Sequence, residues 1–159
     1  MCDLEAAMRS KKSIVVGLAL VAAGSIGYVA GAAEKKAGVM WTPAEMTWTP
    51  LDPGSPLQHV ALWGDRGKNG EYGMLLKLPA GASAGMHAHT KDYHALAIQG
   101  TWVHTFEGGG PKELPVGSYV FQPGKQMHDD ACAGTVDCIV FVHQHGKGDF
   151  IPPKAPPGK

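Results

Sequence analysis

Histidine is the residue of this sequence best suited to chemistry, because imidazole binds transition metals and transfers protons near neutral pH. The chain has eight histidines, and none of them precedes His59. His87 and His89 are separated by one residue, and in a β-strand residues two apart point to the same face. A tight turn can bring His94 alongside them, and His128 comes later in the chain. Three or four such nitrogen ligands suit Fe(II), Zn(II), Cu(II), Ni(II) or Mn(II).

Spacing alone does not decide what these histidines do. A His-x-His pair is weak evidence for a metal, and a structural or chance role for it stays open. The same spacing recurs at His143 and His145, which either line a binding site or lie on the surface. For His104 the residues leave two readings open, the interior of the fold or its surface.

The elements that must position the histidines are predicted to be short strands joined by turns. The sequence has 22 glycines and 12 prolines, which favours frequent turns and disfavours long helices. Many short strands at regular spacing are typical of a sandwich or a barrel. The predicted strands are Leu57–Trp63, Glu71–Leu78, Met86–His89, Tyr93–Phe106 with a bend at Gly100, Gly117–Gln122 and Cys138–His145.

The first 33 residues differ from the rest of the chain. Basic residues between positions 9 and 12 precede an uncharged apolar stretch over 14–30, and small residues follow it. This order is typical of a secretory signal peptide, with cleavage after Ala32 or Ala33. An uncleaved membrane anchor is the alternative, because the stretch is nearly long enough to span a bilayer. We therefore expect a periplasmic or secreted protein without a stable membrane partner, or one anchored by its N-terminus.

Length and charge restrict the partners of the protein. The 159 residues include 14 basic and 14 acidic side chains, so the formal net charge is zero. Proteins that bind nucleic acids usually show a clustered basic excess, and that class is therefore disfavoured. The length suits one domain with additional segments. Residues 34–56 are predicted to form an extended arm that packs its tryptophans on the domain, and residues 151–159 a proline-rich tail.

Export also changes the interpretation of the cysteines. Cys132 and Cys138 have five residues between them, and those residues resemble a hairpin loop. In an oxidising compartment the pair is expected to form a disulfide. Two free thiols or a soft metal ligand are the alternatives that the residues leave open.

Two stretches of the sequence resemble the two motifs of the cupin superfamily. The first reads Gly-Ala-Ser-Ala-Gly-Met-His-Ala-His from Gly81 onward and ends at Gly100. The second begins at Gly117 and passes through Pro123 to His128. The sequence is also similar to a group of exported bacterial cupins.

The resemblance covers about residues 57–150, most of the chain that remains after export. It implies an all-β fold, namely a small cupin barrel (a double-stranded β-helix or jelly roll) preceded by the extended arm. It also implies one divalent transition metal at the mouth of the barrel, with His87, His89 and His128 as ligands.

The sequence departs from the family at the fourth ligand position, which is a glutamate in the first cupin motif. Counting back from Gly100 places Tyr93 there, whereas counting on from His89 allows His94. Neighbours in a strand face opposite ways, so only one of them points inward unless a bulge intervenes. Because imidazole is the better ligand, we expect His94 in the metal site; three histidines plus water are the alternative. Cys132 occupies a structural position of the family, which supports the disulfide.

The resemblance implies a function of the cupin kind. A site without a carboxylate keeps the full charge of the ion, which favours an anionic or enolisable small molecule. We expect a mononuclear metalloenzyme, for example a dioxygenase, isomerase or lyase, with Tyr93 or His104 as a proton donor. The alternative is a non-catalytic cupin that binds a metal or small ligand as a sensor or scavenger. Cupins are often dimers, and Trp41 and Trp48 are candidates for a homodimer interface.

Overall fold

Short β-strands are the main regular elements of the computed structural model, which describes residues 37–155. The signal peptide predicted over residues 1–33 lies outside these residues. In the described part, the helical element is a single 3₁₀ turn at Pro43–Glu45, and no helix has the length and hydrophobicity needed to cross a membrane. The strands are β1 (Thr49–Pro50), β2 (Gln58–Trp63), β3 (Glu71–Leu78), β4 (Tyr93–Gln99), β5 (Thr101–Phe106), β6 (Lys112–Leu114), β7 (Tyr119–Gln122), β8 (His128–Ala133) and β9 (Cys138–His145).

The strands form two antiparallel sheets. The larger sheet has the order β1–β2–β3–β9–β4–β7, and the smaller has the order β6–β5–β8. Successive side chains of a strand point to opposite faces, and β4 and β9 accordingly bury every second residue. The buried faces of both sheets meet in one hydrophobic core, which includes Leu78, Trp102 and Val140. The expectation of an all-β fold is confirmed.

Gly100 marks the corner at which the chain leaves the larger sheet for the smaller one. It lies between β4 and β5 and has a φ of 75°, a conformation that favours glycine. A Cβ at this position would lie 2.9 Å from Sγ of Cys138. The bend predicted at Gly100 is therefore present, and it divides the predicted long strand into two.

A disulfide joins the two sheets near this corner. Cys132 of β8 and Cys138 of β9 are bonded, with a Cα–Cα distance of 5.6 Å. Both side chains are buried in the core. The pairing predicted for these cysteines is confirmed.

Three strands, β1, β6 and β8, were not predicted. The sequence of β8 is His-Asp-Asp-Ala-Cys-Ala, which lacks the β-branched and aromatic residues that favour strands. Its strand conformation depends on six residue pairs with β5, from Thr101 with Ala133 to Phe106 with His128. Conversely, residues 86–89 do not form a regular strand and make only isolated bridges at His87 and Ala88.

The predicted arm lies partly on the sheet. Thr49 and Pro50 of the arm form β1, which pairs with β2. Trp48 is half-buried, and the ammonium group of Lys77 lies 4.0 Å from the centre of its ring. Trp41 remains 48% exposed. One of the two arm tryptophans therefore packs on the domain as expected.

Candidate metal centre

Three histidines converge at one end of the core. His87 and His128 form an antiparallel bridge, with both N–H to carbonyl distances at 2.8 Å. The side chain of His89 joins them, and the potential ligand atoms of the three rings all lie within 4.8 Å of one another. His87 and His128 are buried and His89 is partly buried. The structure thus brings together three of the four residues predicted as metal ligands.

Hydrogen bonds to backbone carbonyl groups select the tautomer of each ring. The Nδ1 atom of His87 lies 2.7 Å from the carbonyl oxygen of Gly85, and that of His128 lies 3.1 Å from the carbonyl oxygen of Gln126. Nδ1 of His89 contacts the carbonyl oxygen of Asp149 in the same way. A carbonyl only accepts, so each Nδ1 carries the proton and each Nε2 keeps a free lone pair.

Burial also keeps two of the rings uncharged. It is the largest influence on both, and it lowers the pKa of His128 to about 4 and that of His89 below its ordinary value. Neutral imidazoles whose outer nitrogens are held by hydrogen bonds are the form in which histidine binds metals. The residues present therefore fit a divalent transition metal.

The C-terminal segment of the described chain closes over this cluster. The ring of Phe150 stacks on His87, with 4.5 Å between ring centres and an angle of 11° between the planes. Ile151 pairs with Ala88 through two backbone hydrogen bonds, from 2.8 to 2.9 Å long. Together with the carbonyl of Asp149, these contacts hold both members of the His-x-His pair in place.

Tyr93 points inward beside the cluster. Its hydroxyl oxygen lies 3.3 Å from Nε2 of His128 and 3.3 Å from a carboxylate oxygen of Asp130. Burial, and next the charge of Asp130, raise the pKa of Tyr93 well above its ordinary value. The hydroxyl therefore stays protonated and donates a hydrogen bond to Asp130, since a carboxylate is the stronger acceptor. Tyr93 occupies the position that the register count from Gly100 assigned to it.

Asp130 is the buried acid of the site, a role that the sequence analysis did not predict. Its carboxylate accepts hydrogen bonds from Trp102 at 2.8 Å and from His104 at 2.7 Å. Burial alone would raise the pKa of Asp130, but the hydrogen bond and charge of His104, with smaller contributions from His128 and His87, lower it overall. The alternation of β8 was the available signal, because His128, Asp130 and Cys132 share one face.

His104 lies behind Asp130 rather than at the site itself. One ring nitrogen contacts Asp130, and the other lies 3.1 Å from the side-chain oxygen of Gln122. The amide nitrogen of Gln122 donates to two backbone carbonyls, so its side-chain oxygen is the atom that faces His104. The expected role of His104 as a direct proton donor is corrected: it positions Asp130 and does not line the cavity.

His94 is not part of the cluster, which corrects the expectation that it supplies the fourth ligand. The buried positions of β4 are Tyr93, Ala95 and Ala97, so His94 projects from the opposite, exposed face. There its Nδ1 atom lies 2.7 Å from the hydroxyl of Tyr119. The inward position next to the histidines belongs to Tyr93 because neighbours in a regular strand face opposite ways.

The second His-x-His pair also lies on the outer face. His143 contacts Glu71 at 2.6 Å, and His145 is exposed. The residue between them, Gln144, is the buried one and faces the interior. These two histidines therefore do not contribute to the metal cluster.

A cavity of about 320 Å³ opens beside the histidines. His87, His89 and Tyr93 line one part of it, and apolar side chains form most of the remaining wall. Arg66 and Tyr72 are polar lining residues that the sequence analysis did not single out. The apolar lining residues include Leu51, Leu57, Met74, Leu76, Val140 and Val142.

The sequence matches a protein family described as the ChrR Cupin-like domain over residues 36–147. The chain belongs to this cupin family. The resemblance to cupins and the expected cupin barrel are thereby confirmed. No curated protein matches the chain.

Several solved cupin structures have the same fold at low sequence identity. The polyketide cyclase RemF from Streptomyces resistomycificus has a TM-score of 0.64 and 14% identity, and the match covers 76% of this chain and 88% of that one. The DMSP lyase DddQ from Ruegeria pomeroyi has a TM-score of 0.54 and 21% identity, with 65% and 57% covered. A chain from the complex of SigE with the anti-sigma ChrR of Rhodobacter sphaeroides has a TM-score of 0.51 and 19% identity, with 65% and 51% covered. Likenesses at these identities show the fold alone.

Proposed function

We propose that this cupin is an exported mononuclear metalloenzyme that acts on a small anionic or enolisable organic molecule. The observation that carries the proposal is the combination of three histidines, with free Nε2 atoms close together, and a cavity of about 320 Å³ beside them. A closed structural site would have no such space for a further ligand. We place the reaction among oxygen-dependent cleavages, isomerisations and eliminations.

The protein's own residues supply the proton chemistry of this proposal. A metal bound by His87, His89 and His128 would act as a Lewis acid or activate dioxygen. Tyr93 holds a proton on its hydroxyl, 3.3 Å from Nε2 of His128, and is positioned to donate it to an oxygen of a bound molecule. The carboxylate of Asp130 accepts the hydrogen bond of that hydroxyl, and an oxygen of the bound molecule would replace Asp130 as its acceptor. Apolar side chains form most of the cavity wall around these groups.

Metal analysis followed by activity assays tests the proposal. Protein purified from its own host should contain about one transition-metal ion per chain, and oxygen-uptake and substrate-loss assays should identify a substrate in a panel of diketones, hydroxy acids and thiols. The Tyr93→Phe variant should keep the metal and lose most of the turnover. Turnover by Tyr93→Phe equal to that of the unmodified protein would remove Tyr93 from the mechanism.

A non-catalytic sensor is the second candidate, and one specific observation favours it. The matching family is named after ChrR, and a similar fold occurs in the complex of SigE with the anti-sigma ChrR. In a sensor the same histidines would bind the metal, while every compound of the panel would remain unconverted. Metal binding without conversion of any compound would therefore favour the sensor over the enzyme.

The export of the protein is part of the proposal. The order of basic, apolar and small residues over positions 9–33 supports it, as does a disulfide that requires an oxidising compartment. N-terminal sequencing of the exported protein should find a new terminus after Ala32 or Ala33. An intact Met1 or Met8 would show that the segment is not cleaved.

A further inference from the structure

A row of inward-facing polar side chains crosses the larger sheet from the histidines to the far part of the cavity. Gln144 of β9 is paired with Tyr93 of β4 on one side and with Tyr72 of β3 on the other. All three side chains are buried and line the cavity. Since adjacent strands lie nearly 5 Å apart, Tyr72 is roughly 10 Å from Tyr93 along this row. The cavity therefore has two polar regions, one at the histidines and one at Tyr72.

Arg66 lies next to Tyr72 in the second polar region. Its two terminal nitrogens form a fork to the carboxylate of Asp52, at 3.1 and 3.2 Å, and Nη1 also donates to the carbonyl oxygen of Leu51. The other edge of the guanidinium, formed by Nε–H and the second N–H of Nη2, makes no hydrogen bond to any residue between 37 and 155. A guanidinium edge of this kind matches the two oxygens of a carboxylate.

Tyr72 adds a second donor to this unoccupied edge. Its hydroxyl group has no hydrogen-bond partner among the described residues, and burial raises the pKa of Tyr72 to about 12, so the proton stays available for donation. A Cβ at Gly148 would lie 3.0 Å from Nε of Arg66 and 2.9 Å from the hydroxyl oxygen of Tyr72. Both donors therefore pack closely against Gly148, where a side chain would not fit, and both line the same part of the cavity.

We infer that the Arg66–Tyr72 end of the cavity is a second binding subsite, which takes a carboxylate at one end of an elongated small molecule. The inference rests on the proposed function, in which the other end of that molecule lies at the histidines. Leu57, Met74 and Val142 form apolar walls of the cavity and suit a short hydrocarbon chain between the two polar ends. The substrate class is accordingly a short aliphatic acid with a second oxygen-bearing group.

Two acidic residues lie near the subsite and oppose a bound anion. Asp52 already pairs with Arg66, but its side chain is 51% exposed and the pair contributes little to stability. The carboxylate of Asp149 accepts hydrogen bonds from the backbone and the hydroxyl of Thr90. The subsite therefore has one cationic group with a free edge, and Asp52 is the competitor of the bound carboxylate.

The binding of dicarboxylates to the full-length protein tests the inference. Isothermal titration of the zinc-loaded protein with malonate, succinate, glutarate and adipate should show one preferred length that binds more tightly than pentanoate, which has only one carboxylate. Arg66→Gln should weaken the preferred dicarboxylate by at least about tenfold, because a charge-assisted hydrogen bond is lost. Tyr72→Phe should weaken it less, because it removes only a neutral donor.

Two further variants separate a binding role from a structural one. Lys68→Gln removes an exposed cation that pairs with Asp65 and is close to Arg66 in the sequence. This variant should leave dicarboxylate binding unchanged. Asp52→Asn frees Arg66 from its competitor and should strengthen dicarboxylate binding up to about fivefold, whereas a purely structural Arg66–Asp52 pair predicts weaker binding. The inference is overturned when no dicarboxylate binds more tightly than pentanoate, or when Arg66→Gln binds as the unmodified protein does.

The same titration distinguishes failure of the carboxylate subsite from failure of the metal site. If the histidines bind no zinc, an Arg66-dependent response to dicarboxylates should still be measurable in the metal-free protein. If the subsite is absent, zinc loading remains intact and Arg66→Gln has no effect on any ligand.

Discussion

The interior of the domain and the outer face of the larger sheet both carry histidines, yet only the interior ones are organised as a ligand set. His87, His89 and His128 lie inside, and each donates from Nδ1 to a backbone carbonyl. His94 and His143 are paired neighbours on β4 and β9, and their partners are the side chains of Tyr119 and Glu71. Backbone acceptors are fixed by the fold, whereas exposed side chains rotate.

The difference shows that the number and spacing of histidines are poor guides to a metal site. The His-x-His pair at His87 and the pair at His143 have the same spacing in the sequence. The two pairs differ in which face of the chain is buried. In β9 the register places Gln144 inward, so His143 and His145 point outward. Burial keeps His89 and His128 neutral, and the backbone orients all three inner rings, so that three Nε2 atoms come together.

Metal binding should give the largest contrast between the inner and the outer histidines. His128→Ala removes one of the three inner ligands and should abolish stoichiometric loading with Zn(II) or Fe(II). His94→Ala removes an outer histidine of the same chain and should leave the metal content at about one ion per chain. Mass spectrometry of the metal content after dialysis measures both variants. Full metal content in His128→Ala would refute the inner site, and loss of metal in His94→Ala would extend it to the outer face.

Stability should give the next contrast, between two adjacent acids of β8. Asp130→Asn disturbs a buried carboxylate that accepts from Trp102, His104 and Tyr93, and should lower the free energy of unfolding by about 3 kcal/mol. Asp129→Asn affects only a pair of exposed contacts with the hydroxyl of Ser83 and should cost under about 1 kcal/mol. Urea denaturation of the metal-free protein measures both values. Equal losses would show that the inner network does not stabilise the fold.

The smallest contrast is expected in the alkaline pH dependence of stability. Burial raises the pKa of Tyr72 to about 12, above the ordinary value of about 10. The unfolded chain therefore releases this proton first, and the stabilising contribution of Tyr72 is lost as the pH rises from about 10 to 12. Tyr72→Phe should reduce the slope of unfolding free energy against pH by the contribution of about one proton per molecule. Tyr119→Phe changes an exposed tyrosine on the outer face. We expect the stability of this variant to decline with pH as steeply as that of the unmodified protein.

Sequence patterns located the three inner histidines, because the two cupin motifs specify their spacing. The choice between Tyr93 and His94 was a different problem. Two neighbours of one strand alternate in direction, and a single bulge reverses which of them faces inward. Pairing with β7 and β9, formed by distant parts of the chain, fixes that register. Chemical preference for imidazole over phenol therefore gave the wrong residue.

The other omissions have similar physical causes. Asp130 is adjacent to Asp129, and two consecutive acids are usually solvated, but β8 buries one of them by alternation. Arg66 comes from a glycine-rich loop whose position relative to Tyr72 depends on close contacts at Gly148. Side-chain types predict which chemistry is available, whereas long-range contacts decide where it is assembled.

The family match ends at residue 147, before the segment that completes the histidine cluster. A chain shortened to His145 would keep every strand and every ligand. It would lose the carbonyl of Asp149 that selects the tautomer of His89 and the ring of Phe150 that covers His87. Both tautomers of His89 would then be populated, and part of the free energy of metal binding would be spent on reorienting the ring. The geometry of this candidate metal site thus depends on a few residues that are not ligands and that lie beyond the family match.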